Sequence, residues 1–329
     1  MKLDASVLRI DPAAEAERIC VGLREVLTAR LRRRGAVVAI SGGVDSAVCA
    51  ALAVRAFGPQ RVLTLILPER DSASDSSVRA HALAAHLGVE PIEQDIAPSL
   101  EALGCYRWRD EAVRRVLPAY GDGWRMKLVL AGGIDGRINY FRIVAQSPDG
   151  ARHEARLGLG EYLQIVAATS FKQRVRKTLE YFHADRMNYA VIGTPNRLEY
   201  DQGFFVKNGD GSADVKPIAH LYKSQVYALA EHFRLPSDIA TAPPTTDTYS
   251  LPQSQDEFYF ALPYQQMDLA LWALDHDVPA DDLARALGIS EQNARHIYAD
   301  IRAKRRTTAP LHLSPILLGE VHGVGGGAD

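Results

Sequence analysis

Apolar positions along this chain fall into short blocks whose spacing switches between helical and extended periods. Behind Asp11-Pro12, a helix-start signal, Ile19, Leu23, Val26, Leu27 and Leu31 recur at helical intervals and stop before Gly35. That spacing predicts a leading amphipathic helix. Ala36 to Ile40 is a compact, partly β-branched run read as a buried strand, and Ala47 to Phe57 is apolar nearly all round, as a helix inside a core is. A second strand is predicted over Arg61 to Leu67, a helix over Asp75 to Leu87 closed by Gly88, and a weaker strand over Val89 to Ile96. Strands that alternate with helices favour parallel pairing, since a parallel partner is reached only by a long crossover. The predicted fold class is α/β, a doubly wound parallel sheet with helices on both faces.

Helical spacing resumes over Pro98 to Leu117 and then breaks. Within Trp124 to Leu157, residues Arg137 to Ala145 alternate and Ser147-Pro148-Asp149-Gly150 is a turn sequence, which predicts an inserted β-hairpin over 124–157. Glu161 to Arg186 returns to a helical period, and Tyr189 to Ile192 reads as a short buried strand ending at Gly193-Thr194. A helix over Tyr222 to Phe233, a Pro/Thr/Ser-rich loop over Thr241 to Gln255 and one or two helices over Asp281 to Arg306 complete the pattern. One domain over 1–315 is expected, with a flexible Gly-rich tail over 316–329.

Composition narrows the function classes. With 38 Lys and Arg against 40 Asp and Glu, the net charge of -2 gives no global field for nucleic acid or an anionic membrane, so phosphate binding must be local. Apolar runs such as Ala47 to Val54 fall far short of the ~20 residues a membrane span requires. No secretory h-region follows Asp4 and Asp11, so the cytoplasm is the expected location. Cys20, Cys49 and Cys105 lie in no zinc spacing and read as reduced core thiols. The ten histidines form no HExxH, which leaves a hard cation on carboxylates as the metal to consider.

Ser41-Gly42-Gly43-Val44-Asp45-Ser46 stands between a predicted strand and a predicted helix, where open parallel sheets bind ligands. Gly42 and Gly43 permit a tight turn with inward N–H groups, Ser41 and Ser46 add hydroxyls, and the helix start adds partial positive charge. Together these make a phosphate cradle. A chance match of five such positions is on the order of 10⁻³ for this composition. The P-loop and dinucleotide fingerprints, GxxxxGK[ST] and GxGxxG, are absent. Asp45 beside phosphates calls for a divalent cation between them, so Mg²⁺ on a nucleotide is expected. The loop resembles that of the N-type ATP pyrophosphatases, which cleave ATP between its α and β phosphates and share an adenine nucleotide alpha hydrolase-like fold.

A second constellation runs from Gly193-Thr194-Pro195-Asn196-Arg197-Leu198-Glu199 through Gly203-Phe204-Phe205-Val206-Lys207-Asn208-Gly209-Asp210-Gly211 to Asp214, again after a predicted strand. Glu199 is placed to share a cation with Asp45, and Lys207 and Lys223 offer charge for phosphate or a leaving pyrophosphate. Here the chain resembles the ammonia-dependent NAD synthetases, whose pattern of GT, a glutamate five residues on, GFFTKxGDGxxD and LxK it nearly meets. The resemblance implies that Asp45 and Glu199 bind Mg²⁺, and that Ser41, Gly42, Gly43, Asp45, Ser46, Arg70, Thr194, Lys223 and Thr245 form the ATP site. It further implies that Arg174, Lys207, Asp214 and Lys304 contact deamido-NAD, and that the enzyme is a homodimer. Phe258 to Phe260 and the helix over Glu161 to Arg186 are candidate dimer surfaces. Three departures stand out: about forty extra residues around Trp124 to Leu157, Phe258-Tyr259-Phe260-Ala261 where the family has Glu-Leu-Gly, and Ala303-Lys304 where it has His-Lys.

The activity implied is amidation of deamido-NAD by ammonia through an acyl-adenylate, with release of AMP and pyrophosphate and no protein nucleophile. Asp45, Ser46 and Lys223 would serve catalysis by electrostatic positioning, and Asp214 or an acid of the Thr241 to Glu257 loop could take a proton from ammonium. Only forty residues precede Ser41, which leaves no room there for a glutaminase domain, so the expected donor is free ammonia, or ammonia from a separate protein. Three alternatives remain open at this point: a related enzyme adenylating another carboxylate, a tRNA-modifying ATP pyrophosphatase using the Arg302, Lys304, Arg305 and Arg306 patch, and a non-catalytic nucleotide sensor.

Overall fold

A computed structural model describes residues 3–131, 140–243, 248–253, 259–260, 262–319 and 321. The first half of the chain runs α1 (Pro12–Glu25), β1 (Ala36–Ala39), α2 (Val44–Phe57), β2 (Val62–Ile66), α3 (Ser74–Leu87), β3 (Pro91–Glu93), α4 (Ala97–Ala102) and α5 (Cys105–Val116). An inserted unit follows, β4 (Arg125–Ala131), β5 (Tyr140–Gln146) and β6 (Arg152–Arg156), and then α6 (Leu159–Met187), β7 (Ala190–Val191), α7 (Arg197–Gln202), α8 (Lys223–His232) and α9 (Ser237–Ala240). Three helices close the chain: α10 (Tyr264–Asp275), α11 (Ala280–Leu287) and α12 (Glu291–His312).

The central sheet has the order β3-β2-β1-β7, all parallel, with Ala36 opposite both Val62 and Ala190. Its strands are short runs of Ala, Val, Leu and Ile, and in β1 Ala36, Val37 and Val38 have no exposed surface. Strands buried on both faces need apolar residues at every position, which is why these runs do not alternate. One face is covered by α1, α2, α3 and α8, with Leu23, Leu52, Leu83 and Leu229 in a single core. The other is covered by α4, α5 and α6, with Leu100, Tyr106 and Ala168 packed on Val37 and Leu65. The doubly wound arrangement read from the sequence is therefore present. Sequential strands β1, β2 and β3 run outward on one side of β1, and β7 lies on the other. The order reverses between β1 and β7, and ligands of open α/β sheets bind at that point.

Local signals account for the element ends. Asp11 caps α1 by accepting from the N–H groups of Ala13 and Ala14 at 2.9 and 3.1 Å. The single helix expected over Pro98 to Leu117 is two, because Gly104 turns the chain with φ +86° between α4 and α5. A third core joins α10, α11 and α12 to Leu3 and Leu8. Phe260 is buried in that core, so it is no dimer surface, and Phe258 lies outside the described residues.

The expected hairpin over 124–157 is instead a three-stranded antiparallel sheet in the order β4-β5-β6. The β5–β6 turn is the predicted one: Gly150 N donates to Ser147 O at 2.9 Å and Ser147 N to Ala151 O at 3.0 Å. The first strand escaped the sequence reading because Met126 and Leu128 face a partner that only the fold brings near. Met126, Leu128 and Ile143, fully buried, pack on Ala112, Val113 and Ile165 of α5 and α6, and on Tyr249. Residues 248–253 run along this sheet: Leu251 N donates to Met126 O at 3.1 Å, and Met126 N to Ser250 Oγ at 2.9 Å. All three cysteines are free and buried, as expected of core thiols. Residues 316–319 and 321 are exposed and outside regular structure, and 320 and 322–329 lie outside the described residues.

Candidate functional site

A cavity of about 1270 Å³ opens at the carboxyl ends of β1 and β7. The Ser41 to Ser46 loop forms one wall. Gly42 adopts φ +78°, a conformation that L side chains rarely take. Ser46 Oγ donates to Gly43 O at 3.0 Å and receives Ser41 N at 3.2 Å, while Ser41 Oγ receives Gly43 N at 3.4 Å. The two hydroxyls brace the turn in the shape of a cradle, at the first turn of α2.

Asp45 anchors a charged cluster beneath this loop. Its Oδ2 accepts from the Lys223 ammonium and its Oδ1 from Asn196 Nδ2 at 3.0 Å. Asn196 is fully buried and caps α7: its Oδ1 accepts from Glu199 N at 3.3 Å, and Glu199 Oε2 accepts from Asn196 N at 3.2 Å. This capping box sets the Glu199 side chain back toward the Asn196 that holds Asp45, so one residue links both acids. Asn-x-x-Glu is a capping signature that the sequence reading did not use. Its tie to Asp45, 151 positions away, has no such signature.

Lys223 starts α8 with its side chain almost wholly buried. Burial works against its charge, but Asp45 and then Glu199 outweigh burial and raise its pKa, so it stays an ammonium. Asp268 receives Lys223 N at 3.1 Å and Ser224 N at 2.7 Å, fixing the start of that helix. Burial pushes its carboxyl up to about 6. No sequence signal pointed to Asp268. Cys49, beneath the loop, has its thiol raised by burial, which removes it as a nucleophile.

Of the residues expected at the nucleotide, Ser41, Gly42, Gly43, Asp45, Ser46, Arg70, Thr194, Glu199 and Lys223 all line this cavity. Thr245 lies outside the described residues. Arg70 stacks its guanidinium 3.7 Å over the Tyr106 ring. The acceptor-side residues are placed differently, and none of Arg174, Lys207, Asp214 and Lys304 lines the cavity. Arg174 Nε donates to Lys207 O at 3.3 Å, and Lys207 Nζ to the carbonyls of Pro310 and Leu313 at 3.0 and 3.1 Å. Asp214 Oδ2 accepts from Val191 N at 2.8 Å, holding β7. Lys304 Nζ reaches Asp300 at 2.7 Å and Tyr259 O at 2.8 Å.

Sequence reading missed a buried ion cluster behind Arg70. Lys172, 3% exposed, donates to Glu69 at 3.0 Å and Asp71 at 2.6 Å, and Arg109 reaches Asp71 at 2.5 Å. Burial opposes the Asp71 charge, but Lys172 and Arg109 outweigh it and hold the carboxyl below its usual range. Glu180 and Asp210 also line the cavity, and burial raises both carboxyls.

Among the described residues no three side chains gather as a metal-ligand cluster. Asp45 and Glu199 offer two hard oxygen donors on the wall of one cavity, with the Lys223 cation already drawn to them. That donor set suits Mg²⁺, which takes one or two carboxylates and fills its shell with water and phosphate. Among the described residues, no helix is long and apolar enough to cross a membrane.

Comparison with known proteins gives the family. Residues 15–116 and 142–307 match the family model described as NAD synthase, and the unmatched stretch between them contains all of β4. The chain is 54% identical over 315 residues to an NH(3)-dependent NAD(+) synthetase of Rhizobium meliloti (strain 1021), covering 95% of this chain and 94% of that one. It is 38% identical over 276 residues to the enzyme of the same name from Thermotoga maritima, covering 80% of this chain and 91% of that one. Two solved structures share the fold at lower identity. An NH3-dependent NAD synthetase from Campylobacter jejuni has a TM-score of 0.61 and 22% identity, and an NMN synthetase from Francisella tularensis has 0.62 and 21%; each match covers 94% of this chain and all of the other. On the extent of the family match and the identity to its curated members, the chain belongs to the NAD synthase family.

Proposed function

We propose that this chain amidates deamido-NAD to NAD with ammonia, using ATP to form an acyl-adenylate and releasing AMP and pyrophosphate. The observation that carries the reading is the braced Ser41 to Ser46 loop standing over the linked Asp45, Asn196, Glu199 and Lys223, in a cavity above the ~300–1,000 Å³ that usually serves one ligand. Family membership makes the chain a carbon–nitrogen ligase of this kind, and the geometry supports a division of labour.

A carboxylate resists attack by ammonia because it is negative and has no leaving group. Attack of the acceptor carboxylate on the α phosphate of ATP, with departure of pyrophosphate, supplies one; ammonia then adds at the acyl carbon and AMP leaves. The backbone N–H groups of the loop and the hydroxyls of Ser41 and Ser46 hold phosphate oxygens as charge moves toward the pyrophosphate. Mg²⁺ held by Asp45 and Glu199 would neutralise triphosphate charge. Lys223 pairs with Asp45 and is placed to turn its ammonium to phosphate, while Arg70, Thr194 and Thr245 complete the nucleotide contacts. Glu180 and Asp210 carry raised carboxyls in the cavity, the direction a proton acceptor for ammonium needs. Asp214 is committed to β7, so a basic role there requires that it leave Val191 N.

Arg174, Lys207 and Lys304 reach the acceptor by exchanging their present carbonyl and carboxylate partners for it, and Asp214 by releasing Val191 N. A homodimer is part of the same proposal: Leu159 and Leu163, one turn apart at the start of α6, are 73% and 53% exposed, apolar surface that a second copy would cover. Three buried free thiols fit a reducing compartment, which supports the cytoplasm. The test is incubation with Mg-ATP, ammonium chloride and deamido-NAD, with the nicotinate mononucleotide as the competing acceptor. NAD, AMP and pyrophosphate in equal amounts is the expected result. ATP cleavage without NAD, or preference for the mononucleotide, overturns the acceptor assignment.

A further inference from the structure

We infer that Arg79 is a phosphate-binding residue of the nucleotide site, contacting the ATP triphosphate and then the leaving pyrophosphate. This rests on the ATP reading above and extends it to a residue that no motif marks. Arg79 stands on the second turn of α3 and lines the same cavity as the Ser41 to Ser46 loop. Its side chain lies against Gly42. A Cβ at position 42 would come within 3.1 Å of Arg79 Cβ, 3.4 Å of its Nε and 2.7 Å of Ser76 O. Glycine at 42 thus serves two ends, the left-handed turn and the approach of Arg79 to the cradle.

The guanidinium is half-engaged. Its Nη1 donates to Asp75 at 2.6 Å, while its Nε is buried and has no acceptor. A buried donor without an acceptor is costly, and a site that receives an anion repays it. The guanidinium fork suits two phosphate oxygens, with one edge left for Asp75. Two neighbouring cations have filled their donors within the protein: Lys223 on Asp45, and Arg176 on Leu67 O at 3.0 Å and Ser72 Oγ at 3.4 Å. Among the described cavity-lining cations, Arg79 alone leaves a buried donor unfilled.

The experiment compares Arg79→Gln, Arg79→Lys and Asp75→Asn with the unaltered chain. Two readouts are taken: binding of magnesium pyrophosphate by calorimetry, and the KM values for ATP and deamido-NAD. Loss of a charge-assisted hydrogen bond predicts that Arg79→Gln weakens pyrophosphate binding and raises the KM for ATP about tenfold to a hundredfold, with the KM for deamido-NAD unchanged. Arg79→Lys should recover part of the loss, and Asp75→Asn should cost less than Arg79→Gln. Pyrophosphate binding within about twofold of normal in a folded Arg79→Gln overturns the inference. If Arg79→Gln does not fold, unaltered pyrophosphate binding by Arg79→Lys together with Asp75→Asn overturns it instead. Should the unaltered chain bind pyrophosphate through Arg79 yet form no NAD, the functional reading falls and this one stands.

Discussion

The two ends of the cavity are built in different ways. At the nucleotide end, six consecutive residues from Ser41 to Ser46 supply the turn, the hydroxyls, the acid and the helix start, so one short segment carries most of the chemistry. At the other end the wall comes from Trp124 and Arg125 of the insertion, Phe141 of β5, Tyr162 of α6 and residues 248–253, which are brought together only by packing. The first kind of site is held by backbone conformation and hydrogen bonds a few residues apart. The second depends on the core in which Leu128, Ile143, Ile165 and Tyr249 meet. Damage to the first should therefore appear in turnover, and damage to the supports of the second in stability or in acceptor binding.

That contrast can be broken by experiment. Asp45→Asn should lower NAD formation about a thousandfold or more, because a metal-binding charge supplies several kcal/mol in the transition state; a loss under tenfold would mean the acid does no such work. Lys172→Met leaves Glu69 and Asp71 buried beside less positive charge and should cost about 3–5 kcal/mol in denaturant unfolding. In that variant, kcat should hold to within a few-fold of normal. Asn196→Ala should fall between the two. Its kcat should drop about tenfold to a hundredfold, the cost of about 1–3 kcal/mol for a lost buried partner, with partial recovery at high Mg²⁺. Lys207→Ala should raise the KM for deamido-NAD by about tenfold without changing that for ATP, if its ammonium leaves Pro310 and Leu313 for the acceptor.

The last prediction concerns pH. Asp268 has a folded pKa of about 6 against a usual 3.8, so the folded state binds its proton more tightly than the unfolded chain does. Its contribution to stability is fully present below the usual value and is lost as pH rises through about 6. Unfolding of Asp268→Asn, followed across this window, should be flatter with pH than that of the unaltered chain.

How much was legible follows from the same division. The alternation of short apolar runs and helices gave the parallel sheet, because β1 and β2 are buried on both faces and must be apolar throughout. The cradle was legible because Gly42, Gly43 and the two serines act within one turn. The first strand of the insertion was not, since β4 is defined by its pairing with β5 and by residues 248–253 on its other side. Asn196 went unread, although its spacing to Glu199 carries a cap signal; its link to Asp45 carries none. Lys172 and Arg109 read as ordinary helical charges until α5 and α6 carried them to Glu69 and Asp71. The acceptor-side residues show the limit from the other direction: Arg174, Lys207 and Asp214 sit in a recognisable pattern, yet each is occupied within the fold.

The central claim is that the acceptor carboxylate attacks the α phosphate of an ATP seated on the Ser41 to Ser46 loop. Deamido-NAD labelled with heavy oxygen in its nicotinate carboxylate tests this most directly, with the products of a complete turnover weighed by mass spectrometry. The account predicts one labelled oxygen in AMP, the other retained in the amide of NAD, and none in pyrophosphate. Label in pyrophosphate or in inorganic phosphate, or AMP without label, would contradict it.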